Sequence, residues 1–330
     1  MTRDAAGDRV AGNPVAAADP MAGDPVAGLE DAAWALAAVI ATYRDAAGSS
    51  LAEALTRQPD RTAVLVAAGL VERVDRGRVP DGLVPDPALL DGPLAGNAAA
   101  ARLGALRQAV QVAAGEAAPG WSAQPDEVLL DQGHASAATG HALATRLVPA
   151  LDGLADRLAA TSARVLDVGT GVGALAVALA REFPHARVTG IDVLARAVAL
   201  ARTEVAQAGP LADRVELREQ DVADLREPAT YDLIWLPAPF LPETTLTAAL
   251  PHLVDALVPG GWLVAGTNPV PAGQLAAAVA RWNAARNGGS ALDGEAMASR
   301  VRDLGLGSVG QHPTVPGGPI LVTGQRRRDR

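Results

Sequence analysis

From about residue 29 to 147 the apolar side chains fall mostly at helical spacing; from residue 164 onward short apolar strands alternate with helical runs. Trp34, Leu36, Val39 and Ile40 line one side of a helix predicted over 30–43. Ser49-Ser50 caps a short helix over 51–56, with Glu53 in its first turn, and Asp60 caps another over 61–71. The run VERVDRGR at 71–78, followed by Val79-Pro80-Asp81-Gly82, reads as a small β-wing. Three helices and a wing make a winged-helix pattern. Leu103, Leu106 and Val110 give a buried helix face within 88–120, broken by Pro119-Gly120, and a further helical stretch covers 125–147. Residues 1–27 have no periodic apolar pattern and read as a disordered leader.

The second rhythm opens at Arg164–Ala180, RVLDVGTGVGALAVALA. A strand ending at Asp167-Val168 meets Gly169, Gly171 and Gly173 at alternate positions, then a helix through Leu175, Val177 and Leu179. Glycines permit positive φ and a close approach of backbone to ligand. The helix N-terminus offers free N–H groups. The glycine pattern also satisfies the dinucleotide fingerprint G-x-G-x-x-G/A, so by itself it is ambiguous. Its surroundings narrow the choice. Asp167 stands two residues before the first glycine, where a carboxylate could receive an ammonium group. A strand over 186–191 ends in Asp192, placed to accept from ribose hydroxyls. A third, 215–218, leads to Gln220-Asp221-Val222, where Asp221 could accept from an adenine amino group. A fourth, 231–236, is followed by a helix over 244–257 and by Pro259-Gly260-Gly261.

This ordered series resembles the class I S-adenosylmethionine-dependent methyltransferases over about residues 125–325. The resemblance implies a Rossmann-like α/β sheet of seven strands, closed by an antiparallel hairpin from 309–314 and 320–323. It also implies a smaller, mainly helical, winged-helix-like N-terminal domain. S-adenosylmethionine is then the cofactor. Its methionine end lies at Asp167, Gly169, Gly171 and Gly173, its ribose at Asp192, and its adenine at Asp221; Val193, Val222 and Leu236 complete the contacts. The N-terminal module is of the kind that dimerises and roofs the active site in small-molecule methyltransferases. The expected division is 1–27 leader, 28–118 dimerisation and lid domain, and 119–330 methyltransferase domain.

Composition trims the alternatives. The formal net charge of −9 disfavours a nucleic-acid partner, and the predicted recognition helix is nearly all apolar. Without cysteine there is neither a disulfide nor a thiolate nucleophile. No uninterrupted apolar run suggests a membrane span and no signal core opens the chain, so the expectation is a cytoplasmic homodimer acting on a small molecule.

Methyl transfer is an in-line displacement that needs positioning and, for some acceptors, a base. The resemblance would place a catalytic His just after the fourth strand in O-methyltransferases of this architecture. Here that stretch reads Trp235-Leu236-Pro237-Ala238-Pro239-Phe240-Leu241-Pro242-Glu243, without His and without the polar residue of the Asn/Asp-Pro-Pro-aromatic motif. His134 and His141, seven residues apart, are the candidate bases, or metal ligands with Asp131 or Glu243. Glu243 is a candidate at the acceptor side; its plainer role is a helix N-terminus. Trp121, Trp235 and Phe240 are candidates to line the pocket. Two rivals stand beside the methyltransferase: an NAD(P)-dependent oxidoreductase, and a winged-helix regulator with a vestigial cofactor fold.

Overall fold

A computed structural model describes residues 25–74, 82–115, 119–269, 273–314 and 319–328. The expected leader, up to residue 24, and the middle of the wing lie outside the described residues. The N-terminal module comprises α1 (Pro25–Ala47), α2 (Leu51–Arg57), α3 (Pro59–Ala67), an antiparallel hairpin of β1 (Val71–Val74) and β2 (Gly82–Pro85), and α4 (Gly92–Ala114). Ile40, Tyr43, Leu55, Leu65, Val71 and Ala95 form its own core. Its boundaries correct four expectations. α1 starts at Pro25, inside the stretch read as leader. Ser50 caps α2, accepting from the Glu53 N–H, but α3 starts with Pro59 at its first turn, so Asp60 is not its cap. Gly115, at φ 73°, ends α4 ahead of Pro119-Gly120. Val110 is 60% exposed, so the buried face of α4 stops at Leu106.

α1 is the one helix among the described residues long and apolar enough to cross a membrane by length and composition. Its second half is committed elsewhere: Ala38, Val39, Ile40, Tyr43 and Ala46 are buried in the N-terminal core.

Two helices lead to the sheet: α5 (Asp126–Ala142), prolonged by a π turn over Leu143–Leu147, and α6 (Leu154–Leu158). Then follow β3 (Arg164–Val168), α7 (Ala174–Glu182), β4 (Arg187–Asp192), α8 (Ala195–Ala206), β5 (Val215–Glu219), β6 (Tyr231–Pro237), α9 (Glu243–Ala256) and β7 (Leu257–Pro269). The chain closes with α10 (Gln274–Asn287), α11 (Gly294–Asp303), β8 (Gly307–Pro313) and β9 (Pro319–Gln325). The strand order is β5-β4-β3-β6-β7-β9-β8, parallel except for β9.

Side chains alternate across this sheet as the pleat requires. Leu166, Val168, Ile234 and Leu236 share one core with Leu246, Leu253, Met297 and Val301 of α9 and α11. Val165, Leu233, Trp235 and Val264 share the other with Leu154, Leu175 and Leu179. Trp235 is therefore core, its ring lying over Gly266, and not part of a pocket. Strand order reverses between β3 and β6, which opens a crevice at the carboxyl ends of the strands, where open α/β sheets bind ligands.

Candidate active site

The loop between β3 and α7 turns on Gly169, Gly171 and Gly173, at φ 63°, 56° and 78°. A Cβ added at Gly171 would meet nothing within 4 Å, so the loop has open space beside it. Two carboxylates border it. Asp167 is 1% exposed and accepts from the Thr170 hydroxyl at 2.7 Å. Burial pushes its carboxyl up to about 7, the Asp192 charge adds to this, and no cationic side chain opposes it. Asp192 accepts from the Gly171 N–H through Oδ2 and from the Leu194 N–H through Oδ1, both at 2.9 Å. Its carboxyl is also raised by burial, against the pull of its backbone donors. The β4 acid thus fastens the glycine loop to the next strand and consumes the N–H of the middle glycine.

Farther along the crevice, Asp221 accepts from the Ala223 N–H at 2.9 Å and caps a 3-10 turn. Val193 is 62% exposed. With Ser122, Leu129, Leu194, Ala195 and Arg196 it lines a cleft of about 240 Å³. Val222 and Leu236 are packed in the core, so the side chain of Leu236, fully buried, is unavailable to a ligand. A larger hollow of about 280 Å³ lies at the other edge of the sheet, by Arg164, Arg187 and Val215 at the amino ends of β3, β4 and β5. It is remote from the glycine loop.

Helix α5 lies tightly along the loop and α7. A Cβ at Gly133 would fall 2.1 Å from Val172 Cγ2, and one at Gly140 would fall 2.8 Å from Ala178 Cβ. His134 and His141 flank these two contacts. They share a side of the helix, as their spacing suggested, but each is engaged separately: His134 Nε2 lies 2.8 Å from Glu204 of α8, and His141 Nδ1 lies 3.0 Å from Glu182 of α7. Both imidazoles are about half exposed. Asp131 pairs with Arg107 of α4 at 2.7 Å, and no group of three His, Asp or Glu among the described residues is arranged to hold a metal ion.

The opposite wall is assembled from distant segments. Trp121 meets Phe240, which follows β6, at 5.3 Å between ring centroids and an angle of 50°. Glu243 is the first residue of α9; it accepts from Ser290 at 2.8 Å and pairs with Arg300, and the Ser290 hydrogen bond first, then Arg300, hold its carboxyl below the usual range. The end of α10 is tied over this region: the Gly120 N–H donates to the Arg286 carbonyl at 3.0 Å, and Arg286 and Asn287 both donate to Gln108 Oε1 of α4.

Residues 165–261 match the family described as a methyltransferase domain. The release factor glutamine methyltransferase of Rhodopirellula baltica is 36% identical over 122 residues, 36% of this chain and 40% of that one. The chain covers about half or less of the length of the curated relatives it matches. Solved structures match almost end to end. The S-adenosylmethionine-dependent methyltransferase SibL, in its apo form, is 22% identical with a TM-score of 0.57, over 92% of this chain and 98% of that one. Human N-acetylserotonin methyltransferase, in complex with S-adenosylmethionine, is 14% identical with a TM-score of 0.57, over 93% and 99%. These likenesses establish the fold. Residues 165–261 thus match a methyltransferase domain, set within a chain of that fold.

Within the matched region the carboxylates at the glycine loop were readable in advance, because they sit at strand ends within one short motif. The wall made by Gln108, Arg286 and Asn287 was not. Its residues come from a helix of the N-terminal module and from the end of α10, where Gly288, at φ 70°, ends the helix.

Proposed function

We propose that this chain transfers a methyl group from S-adenosylmethionine to a small organic acceptor, at O, N or C. The observation that carries the reading is Asp167: a buried carboxylate at the glycine loop, pushed up to about 7, with no cationic side chain to offset it. A ligand ammonium fits that deficit. A dinucleotide pyrophosphate does not. It would face two carboxylates and a glycine N–H already donated to Asp192. When bound, S-adenosylmethionine supplies an electrophilic methyl on a positively charged sulfur. Asp167 then holds the ammonium, Asp192 accepts from the ribose hydroxyls while fixing the loop, and Asp221 with Val193 borders the adenine.

The chain's own contribution to the transfer is alignment and exclusion of water. No histidine lies between β6 and α9, and His134 and His141 are held by Glu204 and Glu182, so we assign no general base. An acceptor nucleophilic at neutral pH, such as an ionised oxygen, suits this site. Pro237-Ala238-Pro239-Phe240 lacks the polar side chain that would grip an amide nitrogen. That sets this site apart from what the names of the glutamine-methylating relatives say of those proteins. We place the protein as a homodimer paired through the N-terminal module, where Val26, Leu29, Trp34 and Val110 are exposed on α1 and α4. Incubating purified protein and S-adenosylmethionine with a panel of phenols, enols and heterocycles, and reading methylated product by mass spectrometry, tests the activity. Product from phenolic or enolic members supports the reading; S-adenosylmethionine binding with methylation confined to protein glutamine overturns the small-molecule assignment.

A further inference from the structure

At the acceptor wall, buried polar atoms are left without partners. Arg286 donates through Nη2 to Gln108 Oε1 at 2.6 Å, yet its Nε and Nη1 are shielded from solvent and unpaired. Trp121 Nε1 and Asn287 Oδ1 are orphaned likewise. The Gln108 oxygen is not free for the unpaired donors, because it already accepts from both Arg286 and Asn287. Among the described residues no carboxylate pairs with Arg286. Arg286 is part-buried, but guanidinium N–H groups shielded and unused are costly, and a bound anion would complete them.

The location is defined by three contacts. The Gly120 N–H holds the Arg286 carbonyl, Trp121 lies on Phe240, and Gly289 abuts the Pro239 backbone. The end of α10 that carries Arg286 therefore stands above the segment after β6, beside an aromatic pair. The plainer explanation, an arginine at a helix C-terminus favoured by the macrodipole, accounts for a solvated arginine and not for buried, unused donors.

We infer that Arg286, with the indole N–H of Trp121 and the side-chain oxygen of Asn287, is the acceptor-recognition subsite, built for an anionic oxygen group on an aromatic acceptor. The guanidinium takes the anion, the indole N–H adds a third donor, and Asn287 accepts from a hydroxyl or amine beside it. The Trp121–Phe240 pair offers the apolar surface for the ring. The inference rests on the methyltransferase reading and deepens it by naming the acceptor's chemistry.

The test uses the full chain loaded with S-adenosylhomocysteine. A panel of hydroxylated aromatic carboxylates, each matched with its primary amide, is titrated by calorimetry against wild type and Arg286→Gln. Wild type should bind at least one carboxylate at least tenfold more tightly than its amide, and Arg286→Gln should erase that preference while binding S-adenosylhomocysteine within about twofold of wild type. Equal binding of carboxylate and amide, a preference that survives in Arg286→Gln, or no carboxylate binding at all overturns the inference. Failure of wild type to bind S-adenosylhomocysteine overturns the cofactor reading instead. The melting temperature separates a structural role: Arg286→Gln should melt at or above wild type, because it removes an unsatisfied buried charge, and a fall of several degrees with the preference intact assigns Arg286 to the fold.

Discussion

The two walls of the crevice are opposites in charge and in origin. The glycine-loop wall is electronegative: Asp167 and Asp192 stand within one strand-turn-helix-strand unit, and backbone or hydroxyl donors hold them. The α10 wall is electropositive, drawn from residues as far apart as Gln108 and Arg286, 178 positions along the chain. Arg286 Nε and Nη1, Trp121 Nε1 and Asn287 Oδ1 are left unpaired there. The first wall suits a cation and the second an anion. Methyl transfer needs that polarity, a sulfonium on one side and an electron-rich acceptor on the other. The stretch Trp121–Gln124 joins them: Trp121 touches Phe240, while Ser122 lines the cleft by Val193.

The largest expected effect breaks the electronegative wall. Asp167→Asn should weaken S-adenosylhomocysteine binding by 100-fold or more, read by calorimetry, because the ammonium loses its buried counter-charge. The same change should alter stability in a defined direction. The folded carboxyl, at about 7, lies above its ordinary value of 3.8, so the proton favours the fold. Stability contributed by the protonated form is present at low pH and is lost as pH rises from the ordinary value through the folded one. Wild type without ligand should thus lose about 1 kcal/mol between pH 6 and pH 8 from this group, and Asp167→Asn should flatten the slope, measured by urea unfolding.

Next in size, Asp192→Ala should weaken the cofactor complex by about 30-fold and cost about 1–2 kcal/mol of stability, because two backbone N–H groups lose their acceptor. Unchanged affinity would remove Asp192 from the ribose role. Gly133→Ala tests how closely α5 is fitted to the loop. Its new Cβ must displace Val172, at a cost of about 1–3 kcal/mol, with a rise in KM for the cofactor larger than the fall in kcat. Gly140→Ala, against the Ala178 Cβ and the backbone behind it, has no rotamer to relieve it and should cost at least as much stability, but leave KM unchanged.

The first wall was legible in the sequence because each of its parts is local. Alternate glycines, an acid just before them and an acid at the next strand end fix positions within 30 residues of one another. The order of the seven strands was not a matter of spacing; it came with the resemblance to a known family. Other readings failed for physical reasons. Val110 continues the helical period of Leu103 and Leu106, but none of the described residues covers it. The Gly115 turn stops α4 earlier than the more conspicuous Pro119-Gly120. Trp235 carries the look of a pocket residue, yet the pleat turns it into the core while Phe240, past the strand end, reaches the crevice. The second wall was illegible because no local pattern links Gln108, Trp121 and Arg286; only the fold does.

The smallest effect is expected at the histidines. His134→Ala and His141→Ala each remove a half-exposed contact to a helix glutamate, worth less than about 0.5 kcal/mol, and should leave turnover within about threefold. A loss of turnover by 100-fold in either, with cofactor affinity kept, would restore it as a base.

Titration calorimetry of wild type and Asp167→Asn with S-adenosylhomocysteine and, separately, NADH, at pH 6 and pH 8, tests the central claim most directly. The account predicts binding of S-adenosylhomocysteine alone, tighter at pH 8, with both the affinity and its pH dependence lost in Asp167→Asn. Binding of NADH, or S-adenosylhomocysteine binding that neither pH nor the substitution changes, would contradict it.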